Sequence, residues 1–328
     1  MAGLETERRF EGYVEPDSPA WLPDHEVMNQ VMVPGAAWVE MGIAGSEGRV
    51  LSDLVFEHPL QPKSRVTMQT VIRKIKGAED SIEIYSSADK QRQWTRHLTG
   101  KLGDQVGDAT PVDRATLEAS LSESVDPLEF YQRMETLGLN YGPEFQTIQS
   151  IKYSKTELLS HLKTESDVRG FYIAPPLLDG AFHGLAVGLQ DEGDGHLFLP
   201  VGMDRVEVYR PAQNELWCHA TWHEGEGQTR TADLVLFDDS GAVVASIRNF
   251  RVQRVSLASL RQMSGAGAER LLFEYQWQSL RLPPSEIKNT RWLIVSEQHD
   301  DSEWAKAIAD QLESRGNRSI RVQLKKEG

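Results

Sequence analysis

Two stretches of the chain are apolar almost all the way round a helical wheel. They run over 34–45, with Ala36, Ala37, Trp38, Val39, Met41, Ile43 and Ala44, and over 174–188, with Leu177, Leu178, Ala181, Phe182, Leu185, Ala186 and Val187. A helix without a polar face has to be wrapped by something. Each stretch opens at a proline, which suits a first helical position because the missing N–H has no intrahelical partner there. Around them the pattern changes to period two, as in Val66, Met68, Thr70 and Ile72, or Leu216, Cys218, Ala220 and Trp222. Such alternation predicts antiparallel strands with one buried face. Strands are expected at 49–56, 65–72, 81–87 and 93–102 after the first helix, with turns at Lys76-Gly77 and Ala88-Asp89. Others are expected at 147–153 and 157–162 before the second helix, and at 197–209, 215–223 and 232–255 after it. The last is broken by an Asp238-Asp239-Ser240-Gly241 hairpin turn. Residues 1–20 read as polar and extended, with Phe10, Tyr13 and Val14 as edge contacts, and 126–137 as a polar helix.

One plan therefore occurs twice, a buried helix wrapped by an antiparallel sheet, and residues 1–256 read as a pseudo-duplicated α+β domain. The first unit covers 1–102 and the second 126–256, with 103–125 as linker, beginning in a Gly/Asp stretch. A second linker, rich in Ser, Gly and Ala, covers 257–272. Beyond it, strands at 273–278, 292–296 and 319–324 and a helix at 302–314 form the opening of a parallel βαβ sheet. Three strands and one helix cannot cover both faces of such a sheet, so the chain reads as a piece of a longer one with an incomplete tail.

Composition narrows the function classes. The 328 residues are 39% hydrophobic and 26% charged, with no run reaching the roughly 18 apolar residues that a membrane span needs. A soluble cytoplasmic protein is expected, with no membrane partner. The formal charge of −14 argues against nucleic acid. A single cysteine, Cys218, excludes a disulfide framework and reads as core.

Candidate chemistry gathers at the starts of the two buried helices. His25 stands on a Pro/Asp turn, and Pro34-Gly35 opens the first helix, whose N-terminal N–H groups suit a carbonyl or an anion. On the second helix Asp179 and His183, four residues apart, share one face. Apolar neighbours are expected to raise the pKa of Asp179 and keep it protonated, as a general acid opposite a neutral His25 base. Competing constellations are weaker. His219 and His223 lie on a strand, which separates them by about 13 Å at 3.3 Å per residue, too far to share a metal. Gly265-Ala266-Gly267 lacks a third glycine and a preceding strand, and the turn at Glu297-Gln298-His299-Asp300-Asp301 is unsuited to a nucleotide. His58, His97, His161 and His196 are assigned no role.

Four blocks in order resemble the dehydratase domains of modular type I polyketide synthases. His25, Asn29 and Pro34 match their His-x-x-x-Gly-x-x-x-x-Pro signature, and Tyr141-Gly142-Pro143-Glu144-Phe145 their Tyr-Gly-Pro-x-Phe block. Asp179-Gly180-Ala181-Phe182-His183 matches Asp-x-x-x-Gln/His, and Leu199-Pro200 a Leu-Pro block. The resemblance implies a double hotdog fold, each buried helix the sausage and each sheet the bun. It implies elimination of water from a 3-hydroxyacyl thioester on the phosphopantetheine of an acyl carrier protein, within a multidomain synthase of secondary metabolism and antibiotic biosynthesis.

In those terms His25 takes the C2 proton and Asp179 protonates the departing hydroxyl, while an N–H near Gly35 polarises the thioester carbonyl. Pro34, Asn29, Tyr141, Phe145 and His183 line the substrate, the last two polar groups orienting Asp179 or the leaving water. No metal or other cofactor is implied. The implied partners are the acyl carrier protein and neighbouring synthase domains, with homodimerisation left open. The tail from Phe273-Glu274-Tyr275-Gln276-Trp277 resembles the start of a ketoreductase structural subdomain. Asn29 departs from the family's glycine. Asn visits the left-handed region readily, so activity is expected to survive while the pocket mouth gains a polar side chain. That leaves a dehydratase that also cyclises by oxa-Michael addition, or a double-bond shifter, as alternatives. Retention of both His25 and Asp179 argues against a silent structural module.

Overall fold

The computed structural model describes residues 6–74, 77–88, 93–103, 107–192, 196–223, 228–257, 291–297, 303–314, 316 and 318–324. The chain divides into two compact units, Met1–Leu272 and Phe273–Gly328. The strand expected at 273–278, most of the linker at 257–272 and parts of the turns at 76–77 and 88–89 lie outside the described residues.

In the first unit β1 (Thr6–Val14) is followed by two short strands, β2 (His25–Val27) and β3 (Gln30–Val31), and by α1 (Gly35–Gly45). Strands β4 (Leu51–Phe56), β5 (Val66–Lys74), β6 (Asp80–Ser87) and β7 (Thr95–Leu102) complete the first half. The second half holds α2 (Arg114–Ser120), β8 (Glu123–Val125), α3 (Pro127–Thr136), β9 (Leu139–Tyr141), β10 (Ile148–Tyr153), β11 (Glu157–Lys163) and α4 (Pro175–Gly184). It ends with β12 (His196–Val208), β13 (Glu215–Trp222), β14 (Thr229–Phe237) and β15 (Val243–Ser256). Both central helices are buried as their patterns require, with Ala36, Val39, Leu177, Leu178 and Ala181 fully enclosed. Pro34 is the N-cap of α1, in extended conformation, and not its first helical residue. Helix α4 ends at Gly184 and continues as a 3-10 stretch over Leu185–Glu192, short of the α-helix to 188 that the pattern suggested.

This is the double hotdog, but its two sheets are one. Twelve strands run in the order β1-β5-β6-β7-β4-β12-β15-β14-β13-β11-β10-β8, all neighbours antiparallel. The halves fuse where β12 pairs with β4, Gly202 opposite Val55 and Met203 opposite Leu54. Fusion removes two open edges whose backbone groups would otherwise lack partners. It also demands a glycine, because a Cβ at Gly202 would stand 2.4 Å from the Leu54 carbonyl oxygen. Helix α2 and strand β8 fall inside the stretch expected to be linker. Asp113 caps α2 by accepting from the Thr116 N–H, and β8 extends the sheet beyond β10. A three-residue strand has no readable period, which is why the sequence pattern hid it.

A second sheet, β3-β2-β9, was not legible at all; it joins the halves directly, with His25 opposite Tyr141. The unit Phe273–Gly328 holds β16 (Arg291–Glu297), α5 (Glu303–Ser314) and β17 (Arg318–Leu324), the two strands parallel with Val295 opposite Val322. Among the described residues no helix is long and apolar enough to cross a membrane.

One acid interrupts the apolar surface of α1. Glu40 is 3% exposed and accepts hydrogen bonds from the N–H groups of Tyr172 (2.8 Å) and Ile173 (2.9 Å), immediately before Ala174 caps α4. The sausage of one half thus ties down the entry to the other. Burial pushes the Glu40 carboxyl up to about 7, against the pull of those two N–H groups. Because the folded pKa exceeds the unfolded one, the native state holds the proton more tightly. The associated stabilisation is complete below about 4.5 and fades as pH rises through 7. Relative to Glu40→Gln, the wild type should lose roughly 3 kcal/mol of stability between pH 4.5 and 7.5, at about 1.4 kcal/mol per unit. Denaturant titrations of both proteins across that range check this; a difference independent of pH would refute it.

Candidate active site

His25 follows a single 3-10 turn, Leu22–Asp24, and begins β2. The hairpin from β2 to β3 turns through Met28 and Asn29, both left-handed at φ 52 and 60, the backbone of a tight primed turn. Asn29 therefore does take the conformation for which glycine is usual. Its side chain is exposed and its Oδ1 accepts from the Asn140 amide at 2.9 Å, which fastens the hairpin to β9.

The tautomer of His25 is fixed by one bond. Its Nδ1 lies 2.8 Å from the Met32 carbonyl oxygen, and a carbonyl can only accept, so Nδ1 carries the hydrogen. The lone pair is then on Nε2, which lies 3.6 Å from Asp179 Oδ2. Burial lowers the His25 pKa, although the Asp179 carboxylate pulls the other way. His25 is 7% exposed and Asp179 6%, so an imidazole with a lowered pKa faces a carboxyl group in a buried site.

The pKa of Asp179 is not raised in the way its apolar neighbours on α4 suggested. Burial does raise its pKa, but His183, then His25, then the Ala36 backbone N–H outweigh that and bring it below the usual carboxylate value. His183, the first of these, stands four residues along the same helix and is visible in the sequence; the imidazole and the helix N-terminus that arrive from the other half are not. The start of α1 lies beside this acid. The Ala36 N–H addresses Asp179, the Ala37 N–H donates to the Pro34 carbonyl, and Gly35 faces Pro200 and Phe56 at ordinary contact distance. His183 Nε2 lies 2.7 Å from Asp179 Oδ2 but out of line. Oδ2 and both His183 nitrogens have no aligned hydrogen bond among the described residues. Buried polar atoms left so cost about 1–3 kcal/mol each unless another group reaches them.

Aromatic rings enclose this trio. Tyr141 stacks obliquely on His183, centroids 3.9 Å apart, and lies 5.7 Å from His25. Phe145 is fully buried, 5.1 Å from His25, with Trp21 edge-on behind it at 6.0 Å. Burial, with the Asp179 charge nearby, pushes the Tyr141 hydroxyl well up, so it stays a neutral donor. Tyr131 on α3 was missed. Its hydroxyl donates to the Phe145 carbonyl (3.1 Å), accepts from the Ile148 N–H (3.2 Å), and its ring stands edge-on to His183. The buried stripe of Phe130, Tyr131 and Met134 behind the Asp126-Pro127 cap was the available signal.

Other candidates stay apart. His219 pairs with Glu157 and His223 with Asp233, and no cluster of His, Cys, Asp and Glu that could hold a metal occurs among the described residues. His97 is buried between the His58 carbonyl and Ser86 and stacks on Trp38, and burial pushes it down to about 4. Burial pushes the Cys218 thiol up to about 12, which leaves it inert.

Comparison with known proteins follows the same lines. Residues 2–87 match the family described as polyketide synthase dehydratase domain, and 109–262 the one described as polyketide synthase dehydratase N-terminal domain. The chain is 29% identical over 281 residues to polyketide synthase GfsA of Streptomyces halstedii, covering 80% of this chain and 4% of that protein. It is 27% identical over 316 residues to a mycocerosic acid synthase-like polyketide synthase of Mycobacterium tuberculosis, covering 89% and 15%. It thus spans a small part of these relatives. Among solved structures it is similar to two inactive mutants of the CurK dehydratase. An Asp-to-Asn mutant aligns at TM-score 0.71 and 25% identity, covering 78% of this chain and 96% of that one. A His-to-Phe mutant aligns at 0.69 and 26%, covering 78% and 95%.

The fixed tautomer and the lowered pKa are directly measurable. In a histidine-labelled sample, His25 should give the signals of a neutral ring protonated at Nδ1, and keep them below pH 6.5, where an unperturbed imidazole is half charged. A His25 resonance titrating at or above that pH would contradict the assignment.

Proposed function

The chain belongs to the dehydratase domains of modular polyketide synthases, and from that membership we propose that it removes water from a 3-hydroxyacyl thioester carried by an acyl carrier protein, with His25 as base and the Asp179–His183 pair as acid. The observation that carries this is the meeting of His25 Nε2 with Asp179 Oδ2 at 3.6 Å, in a buried site, from opposite halves of the fold. The two inactive CurK mutants, one at an Asp and one at a His, support the reading.

The thioester acidifies the C2 proton, which passes to His25 Nε2. Its electron pair forms the C2–C3 double bond as the C3–O bond breaks. Asp179 and His183 hold one proton between them, and Asp179 passes it to the leaving oxygen, which departs as water. His25 is left charged and the pair one proton short; transfer between His25 and Asp179 restores both. The α1 N-terminus beside Asp179 favours the negative charge that develops there. Tyr141 and Phe145 line the acyl chain and exclude water, with Pro34 and Gly35 along the same wall. No metal or redox group has a step in this scheme. The acyl carrier protein and adjoining synthase domains are the partners, in the cytoplasm, and residues 273–328 form the beginning of a ketoreductase structural subdomain.

With a 3-hydroxyacyl thioester, the wild type should release the enoyl product by loss of one water. His25→Ala and Asp179→Asn should each lower the rate roughly 10²- to 10⁴-fold with circular dichroism unchanged. Either variant at the wild-type rate would sink the assignment, and a substrate with a distal hydroxyl would report any ring closure by chromatography.

A further inference from the structure

Asp24 immediately precedes His25, and both its backbone and its side chain reach across to the other half. Its carbonyl accepts the Gly142 N–H at 2.8 Å, and its Oδ2 accepts the Glu144 N–H at 2.8 Å. A Cβ at Gly142 would stand 2.3 Å from the Asp24 carboxyl carbon and 2.6 and 2.7 Å from its oxygens. Gly142 is not among the residues with positive φ, so glycine is needed there for room and not for backbone freedom. The carboxylate of the first half occupies the space of a missing side chain in the second. On either side of this joint stand Tyr141 and Phe145, the two rings that cover His25.

We propose that Asp24 is a positioning residue, which clamps the 142–145 turn so that Tyr141 and Phe145 stay against His25 and keep the acid–base pair aligned and dry. The inference rests on the reading of His25 and Asp179 as base and acid. Other contacts hold the β2–β9 joint, among them the His25–Tyr141, Glu26–Asn140 and Val27–Leu139 pairings, the Asn140 amide on Asn29 Oδ1 and the Met28 N–H on the Gly138 carbonyl. The fold therefore outlasts loss of the carboxylate while the ring positions do not. The titratable groups facing His25 are Asp179 and His183 from α4 and Tyr141 from β9, all unchanged by substitution at 24. A change in the titration of His25 then reports water entering where the rings have moved.

The test measures kcat, KM and the pH profile of the full chain for Asp24→Ala, Asp24→Asn, Gly142→Ala and the Asp24→Ala/Gly142→Ala double variant, beside His25→Ala. Asp24→Ala should lower kcat about 10- to 100-fold, as small misplacements do, with KM nearly unchanged. Its acid limb should move toward neutral pH. Asp24→Asn, whose amide oxygen can still accept from Glu144, should recover most of the rate. Gly142→Ala should match Asp24→Ala, and the double variant should be no worse than either, because one contact is lost in all three. If Asp24→Ala fails to fold, Gly142→Ala must show the same loss and limb shift for the proposal to stand. With His25→Ala inactive, a wild-type rate in Asp24→Ala overturns the clamp. So does a loss with an unmoved acid limb, or one that Asn does not recover. An active His25→Ala instead overturns the acid–base reading itself.

Discussion

A neutral imidazole and a carboxylate can be kept face to face in a dry site only if each is held by groups other than its opposite. In this protein His25 is held by the Met32 carbonyl, which takes its Nδ1 hydrogen, and Asp179 by His183 and the Ala36 N–H. Remove either support and burial alone would set the charges: the carboxyl would take up a proton and the imidazole would be free to turn. The rest of the fold can be read as what is required to bring those supports to one place. The base and its carbonyl come from a hairpin, the acid from the middle of a helix, and the N–H from the start of another helix.

That convergence depends on how the two halves are joined, and four joints do it. Strand β12 pairs with β4, which makes one sheet of two and requires Gly202. Strand β2 pairs with β9, which sets His25 opposite Tyr141. Glu40 of α1 takes the N–H groups of Tyr172 and Ile173 and so fixes where α4 begins. Asp24 fills the space beside Gly142. Two of the four joints are carboxylates on backbone N–H groups with no cation paired to them among the described residues, interactions that hold a segment in place without pulling a second charge into the core.

The fold alone would say little about chemistry, since one architecture can serve many reactions. What narrows it is the disposition of lone pair and proton. His25 offers a lone pair on Nε2, Asp179 and His183 stand together on the facing side, and the Tyr141 and Phe145 rings lie against them. Base and acid across an enclosed gap suit removal of a proton from one carbon and of an oxygen from its neighbour.

The sequence by itself determined the two enclosed helices, because an apolar surface all round a helix has only one place to go, and most of the strands, because alternation is a local property. It also determined His25, Asp179 and His183 as the groups in question, and the left-handed turn at Asn29, again from types and spacings near in the chain. Only the tertiary structure decided the single sheet, the β2–β9 joint, the short strand β8, and the parts played by Met32, Tyr131, Glu40 and Asp24. It also reversed the direction of the Asp179 pKa. Most of these are pairings between residues tens to more than a hundred positions apart; Met32 and His183, seven and four positions from their partners, act only once hairpin and helix have formed. Periodicity and local polarity carry no record of which distant atoms will arrive.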